Sequence, residues 1–62
     1  MLDNEINDII ISALRSEFDR AYLQDNINKQ IRICKVCIKR GYKEAAKEMK
    51  SDLLTEYNIE LL

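Results

Sequence analysis

The sequence contains one glycine and no proline in 62 residues, so it carries only one strong helix-breaking residue. Elsewhere, apolar residues recur at spacings of three and four, which is the period of one helix face. Gly41 follows Lys39 and Arg40, whose charges are favourable at the negative end of a helix, and a glycine there can adopt the left-handed conformation that ends a helix. The sequence therefore predicts an all-α fold with a helix boundary at Gly41.

The other boundaries follow from three apolar lines. The first comprises Ile6, Ile10, Ala13, Leu14, Phe18 and Ala21. The second comprises Ile27, Ile31, Cys34 and Ile38 and is rotated from the first by roughly a quarter turn at about 100° per residue. The third comprises Tyr42, Ala45, Ala46, Met49, Leu53 and Tyr57.

Asp25 or Asn26 can cap a new helix where the first line gives way to the second. We therefore predict one small domain over residues 1–62, with helices over about 3–23, 26–40 and 42–57 and an apolar tail over 58–62. A single helix from Asp3 to Arg40 is the alternative. The predicted architecture is two to three helices that form a helical hairpin or a small bundle.

Chain length favours self-association. A chain this short buries only about 60% of the surface that it exposes when unfolded, so its core is marginal. Two cysteines and no histidine offer at most one disulfide and few metal ligands. We therefore expect homodimerisation to complete the bundle. The apolar residues expected at the contact are Ile6, Ile9, Ile10, Leu14, Phe18, Ile59, Leu61 and Leu62.

Composition argues against most enzyme classes. Histidine, the commonest general base, is absent, and no phosphate-binding glycine loop occurs. We expect a non-enzymatic protein with no catalytic residue, no cofactor and no metal site. The acidic N-terminus differs from a secretory signal, and no apolar run reaches the roughly 18 residues of a membrane helix. The expected location is the cytoplasm, without membrane contact.

Cys34 and Cys37 form a CxxC pair. Redox pairs lie at helix starts, where the helix dipole lowers the thiol pKa, but this pair falls in the second half of a predicted helix. Zinc takes four ligands, so only a dimer would complete an all-cysteine site. Because Cys34 lies on the apolar line and Cys37 on its flank, buried structural thiols are the preferred interpretation. An intersubunit metal site and a redox pair are the alternatives.

Charge changes sign twice along the chain. Residues 1–28 hold six acidic and two basic side chains (net −4), residues 29–50 hold two acidic and eight basic (net +6), and residues 51–62 hold three acidic (net −3). The predicted partner-binding surface, called here the basic face, comprises Arg32, Lys35, Lys39, Arg40, Lys43, Lys47 and Lys50. Like charges four residues apart on a helix cost a few tenths of a kcal/mol, which favours a ligand for them. The alternative is a solvated face that the acidic ends of the chain balance.

These features favour a small cytoplasmic regulator or inhibitor that docks on a larger protein with an acidic surface. Small stand-alone helical chains are common in phages and other mobile elements, so we also expect such an origin. The alternative function is a nucleic-acid-binding transcriptional regulator that uses the basic faces of the second and third helices. The net charge of −1 counts against it, because such domains are usually basic.

Overall fold

A computed structural model describes the backbone of residues 2–61 and the side chains of residues 4–61, and this part of the chain forms three α-helices and no strand. Helix α1 spans Leu2–Leu23, α2 spans Ile27–Arg40 and α3 spans Lys43–Tyr57. Each bound lies within one residue of the predicted range. The fold is a small all-helical bundle, and the alternative of one continuous helix through α1 and α2 is wrong.

Each helix is followed by a residue in the left-handed conformation. The φ angles are 55° at Asp25, 78° at Gly41 and 56° at Asn58. Glycine adopts this conformation freely, and Asp and Asn tolerate it better than most other residues. At the start of α2, the Asn26 side chain accepts a hydrogen bond of 3.2 Å from the backbone N–H of Lys29. The predicted glycine stop and the predicted cap before α2 are therefore confirmed.

Helix α2 packs closely against both α1 and α3, which touch each other less. Two ion pairs reinforce this arrangement. Lys29 Nζ lies 3.0 Å from Glu17 Oε2 and joins α2 to α1, while Arg15 Nη2 lies 3.0 Å from Asp52 Oδ2 and joins α1 to α3. The hydrogen bond from the Lys29 ammonium holds the pKa of Glu17 below its usual value. None of the helices over residues 2–61 combines the length and apolar character of a membrane span.

The core draws on all three helices. Its buried side chains are Phe18, Ala21, Gln30, Ile33, Cys34, Cys37, Ala46, Met49 and Leu53. On α2 the buried side lies roughly a quarter turn from the predicted apolar line, since Ile38 is exposed and Ile27 and Ile31 are only half buried. The buried side differs from the predicted one because α2 packs against α1 on one side and against α3 on the other. Cys34 is small enough to bring its Sγ within 3.9 Å of the Ala46 carbonyl oxygen, which aligns the cysteines with α3.

The first half of α1 extends beyond the core. Ile6 is 52% exposed and Ile9 is 68% exposed, and the fully buried residues of α1 begin only at Phe18. The predicted apolar stripe of α1 is therefore covered by this chain only in its second half. The C-terminal tail turns back, and Ile59 and Leu61 pack half-buried against the core.

Candidate binding surfaces

The basic face lies on the outer sides of α2 and α3. Arg32, Lys35 and Lys39 project opposite the buried side of α2, and Arg40 is exposed where that helix ends. A second line comprises Lys43, Lys47 and Lys50 on α3. Lys50 is half buried and the other six side chains are exposed. The face is thus a surface built by two helices that pack against each other.

Salt bridges among the side chains of residues 4–61 do not use the basic face. The four that form join Arg15 to Asp19 and Asp52, and join Arg20 and Lys29 to Glu17. Within this part of the chain, the seven cations of the basic face have no carboxylate at ion-pair distance. Local pairing therefore leaves the positive charge of this face available to a ligand.

The opposite flank of α3 is acidic. Asp52 and Glu56 lie roughly half a turn around α3 from the Lys43, Lys47 and Lys50 line, at about 100° per residue. This flank faces α1, where Asp52 pairs with Arg15 and Glu56 accepts a 3.4 Å hydrogen bond from the Tyr22 hydroxyl. Asp52 and Glu56 therefore lie on a different side of α3 from its lysine line, while Glu44 and Glu48 are exposed near Lys47.

A cavity of about 220 Å³ opens on this acidic side. The lining residues, called here the acidic cleft, are Phe18, Asp19, Tyr22, Gln30, Asp52, Glu56 and Tyr57. Partial burial raises the pKa of Tyr57, and Tyr22, Asp25 and Glu56 add to the effect. Sequence reasoning missed this cleft. The polar residues of α1 and α3 looked like separate solvent faces, and no spacing within either helix indicates that they meet.

The two cysteines are free thiols buried between α2 and α3. Burial raises the pKa of both thiols. For Cys34 the neighbouring Cys37 adds to the rise, and the Lys50 ammonium partly offsets it. Cys37 Sγ lies 3.7 Å from Met49 Sδ. The predicted burial of Cys34 is confirmed, and Cys37 is fully buried rather than on a flank.

Thiols in this setting stay protonated and serve as packing groups. In the described side chains, no three metal-binding residues come together in a group that could hold an ion. The burial of both thiols and the close contacts that they make with α3 favour the structural role predicted for the CxxC pair.

The residues predicted for self-association divide into three groups. Ile6 and Ile9 are exposed and Ile10 is half buried. Leu14, Ile59 and Leu61 are half buried against the chain's own core, and Leu62 lies outside the described residues. Phe18 was wrongly placed on the contact surface, because it is 2% exposed and fills the core of its own chain.

No family model, curated protein or solved structure matches the chain. A functional proposal must therefore be built from the chain's own residues. The surfaces that can support one are the unpaired basic face, the apolar first half of α1 and the acidic cleft.

Proposed function

We propose that the chain is a small non-enzymatic cytoplasmic regulator or inhibitor that docks through its basic face on the acidic surface of a larger protein. The observation that supports this most strongly is the set of seven basic side chains without an ion-pair partner among residues 4–61. Unpaired surface charge of one sign attracts a complementary surface and orients the approach.

An acidic protein suits this surface better than a nucleic acid does. The chain as a whole carries a net charge of −1, and Asp52 and Glu56 lie on the helix that presents Lys43 and Lys47. A nucleic acid carries many charges and is repelled by the overall negative charge of the chain, and nucleic-acid-binding domains are usually basic. A compact acidic surface of a protein would contact only the basic face. Nucleic-acid binding remains the second candidate, which the same experiment tests.

The proposal predicts that Lys35→Gln combined with Lys39→Gln weakens binding to a fluorescein-labelled glutamate-rich peptide about five- to ten-fold at low salt. Fluorescence anisotropy measures the change, with labelled duplex DNA and single-stranded RNA as parallel probes at low and physiological salt. The matched control is Arg20→Gln combined with Lys29→Gln, which removes two positive charges that pair with Glu17. The control should bind the peptide within about two-fold of the unchanged protein.

Equal losses in the two double variants would mean that only overall charge matters, and the docking proposal would be abandoned. A different outcome would be tight nucleic-acid binding at physiological salt that is lost in the Lys35 and Lys39 variant. That result would mean that the basic face binds the phosphate groups of a nucleic acid.

We also propose that the chain homodimerises through the first half of α1. It exposes 4799 Å², whereas a folded monomer of 7.3 kDa exposes about 4200 Å². The chain thus exposes more surface than an average monomer of its mass, and a second copy that covers part of this surface would reduce the excess. Ile6 and Ile9 supply apolar side chains for such a contact.

We expect the unchanged protein to sediment as a dimer at micromolar concentration, and Ile6→Gln combined with Ile9→Gln to sediment as a monomer. The control is Leu23→Gln, which alters an 81% exposed aliphatic side chain at the opposite end of α1 and should leave the dimer intact. A fully helical monomer of the unchanged protein would refute the homodimer.

A further inference from the structure

Gln30 combines deep burial with an unused hydrogen-bonding group. It is 2% exposed, and its Nε2 donates a 3.4 Å hydrogen bond to the backbone carbonyl oxygen of Phe18. Its Oε1 is buried and, like Arg15 Nη1 beside the cleft, has no hydrogen-bond partner among residues 4–61. Buried polar atoms are nearly always hydrogen-bonded, because leaving one unpaired is unfavourable. Because Gln30 lines a cleft, this acceptor can pair with a donor on a ligand that enters the cleft.

The cleft that Gln30 lines has the chemistry of a cation site. Asp19, Asp52 and Glu56 contribute carboxylates, and no lysine or arginine is among its lining residues. Arg15 lies beside the cleft and pairs with Asp52 at 3.0 Å and with Asp19 at 3.5 Å. One arginine balances one of three carboxylate charges, so the cleft keeps a net negative charge.

Aromatic rings complete the lining. Phe18, Tyr22 and Tyr57 are among the lining residues, and aromatic rings attract cations placed over their faces. Arg15 already illustrates this geometry, since its Cζ lies 5.4 Å from the centre of the Phe18 ring while its Nη2 pairs with Asp52. The cleft contains further aromatic rings and carboxylates of the same kinds, and it contains the acceptor Gln30 Oε1, which Arg15 does not pair with.

We propose that the acidic cleft binds a guanidinium group, with an N–H donated to Gln30 Oε1, further N–H groups directed at the carboxylates and the planar face against an aromatic ring. A guanidinium fits better than an ammonium, because its flat fork serves several acceptors at once and stacks on aromatic rings. The cavity of about 220 Å³ suits a small head group. This inference goes beyond the proposed docking function, since the cleft lies on the opposite flank of α3 from the basic face.

The test is a titration of the 62-residue chain followed by nuclear magnetic resonance of its amide groups. The probes are methylguanidinium chloride and N-acetylarginine methylamide, with sodium chloride at the same ionic strength as a blank. We expect saturable shifts at the Gln30 side-chain amide and at the backbone amides of Tyr22 and Tyr57.

Gln30→Met should weaken this binding at least five-fold, because it removes the acceptor while filling a similar volume. The matched control is Gln24→Met, which changes an exposed glutamine in the turn after α1 and should bind as the unchanged protein does. Circular dichroism establishes that both variants keep their helices. Should Gln30→Met unfold the chain, Glu56→Gln gives the second variant, with the same expected weakening.

Two outcomes would overturn the cleft as a guanidinium site: shifts that grow linearly without saturation as they do with sodium chloride, or equal affinity in folded Gln30→Met and the unchanged protein. Saturable binding that depends on Gln30 supports it, and the two probes then identify the source. Tighter binding of the arginine derivative points to an arginine within a polypeptide. Equal binding of both probes points to a small free guanidinium compound.

Discussion

Leu53→Ala should lower the free energy of unfolding by about 2–5 kcal/mol, whereas Leu54→Ala should change it by less than about 0.5 kcal/mol. The two leucines are neighbours on α3 and undergo the same substitution, yet Leu53 is fully buried and Leu54 is 47% exposed. Removing the Leu53 side chain leaves a cavity beside Phe18 and Met49, while removing that of Leu54 mainly uncovers surface that water already reaches. Both substitutions change helix propensity equally, so the difference between the two changes in unfolding free energy measures the effect of burial.

Urea unfolding followed by far-ultraviolet circular dichroism measures both values. Small single-core domains rarely have more than about 3–5 kcal/mol of stability, so the Leu53 variant should be partly unfolded before urea is added. Several protein concentrations are needed, because self-association adds a concentration-dependent term to the stability. Similar losses for the two leucines would contradict the packing of α3 against the core.

Gln30→Glu should destabilise the fold by about 3–5 kcal/mol near neutral pH and by much less in acid. The introduced carboxyl replaces an amide of nearly the same shape, but it is desolvated and faces Asp19, Asp52 and Glu56. Both effects raise its pKa in the folded state above the value in the unfolded chain. The folded state then holds the proton more tightly, so ionisation of the unfolded chain opposes folding as the pH rises.

The loss of stability in the Gln30→Glu variant increases with pH. Below the unfolded pKa both states are protonated and the variant should resemble the unchanged protein. Its deficit grows as the pH rises through the unfolded pKa and levels off above the folded pKa. Urea unfolding at several pH values, always compared with the unchanged protein at the same pH, measures this deficit. Gln24→Glu is the control, since an exposed carboxyl should show little deficit at any pH; a flat deficit for Gln30→Glu would contradict the burial of that side chain.

The fold could be predicted largely because its signals are local. The helix end at Gly41 is predicted by the backbone freedom of glycine and by the two cations before it. The helix start at Asn26 is predicted by a side chain that caps a backbone N–H only three residues ahead. The left-handed residues Asp25 and Asn58 were harder to foresee as helix ends. Asp and Asn serve equally well as helix starts, and only the packed structure decides between the two uses.

The side of α2 that is buried could not be read from hydrophobicity. Ile27, Ile31 and Ile38 form the more apolar line, yet the buried residues are Gln30, Ile33 and the two cysteines, and the small size of Cys34 permits close approach of α3. The basic face was identifiable because its charges cluster in sequence. The acidic cleft was not, since it joins residues of α1 to residues of α3 more than 30 positions later along the chain.

The basic face and the acidic cleft lie on different sides of α3, and an uneven charge distribution gives a molecule a dipole moment even when its net charge is small. In the field of a charged partner, a dipole experiences a torque as well as a force, so the proposed acidic partner would turn the chain towards the docking orientation before contact forms. This torque acts only within about 10 Å at 0.1 M salt, because dissolved ions screen the field at longer distances. Its association rate should therefore depend on ionic strength far more than a net charge of −1 implies.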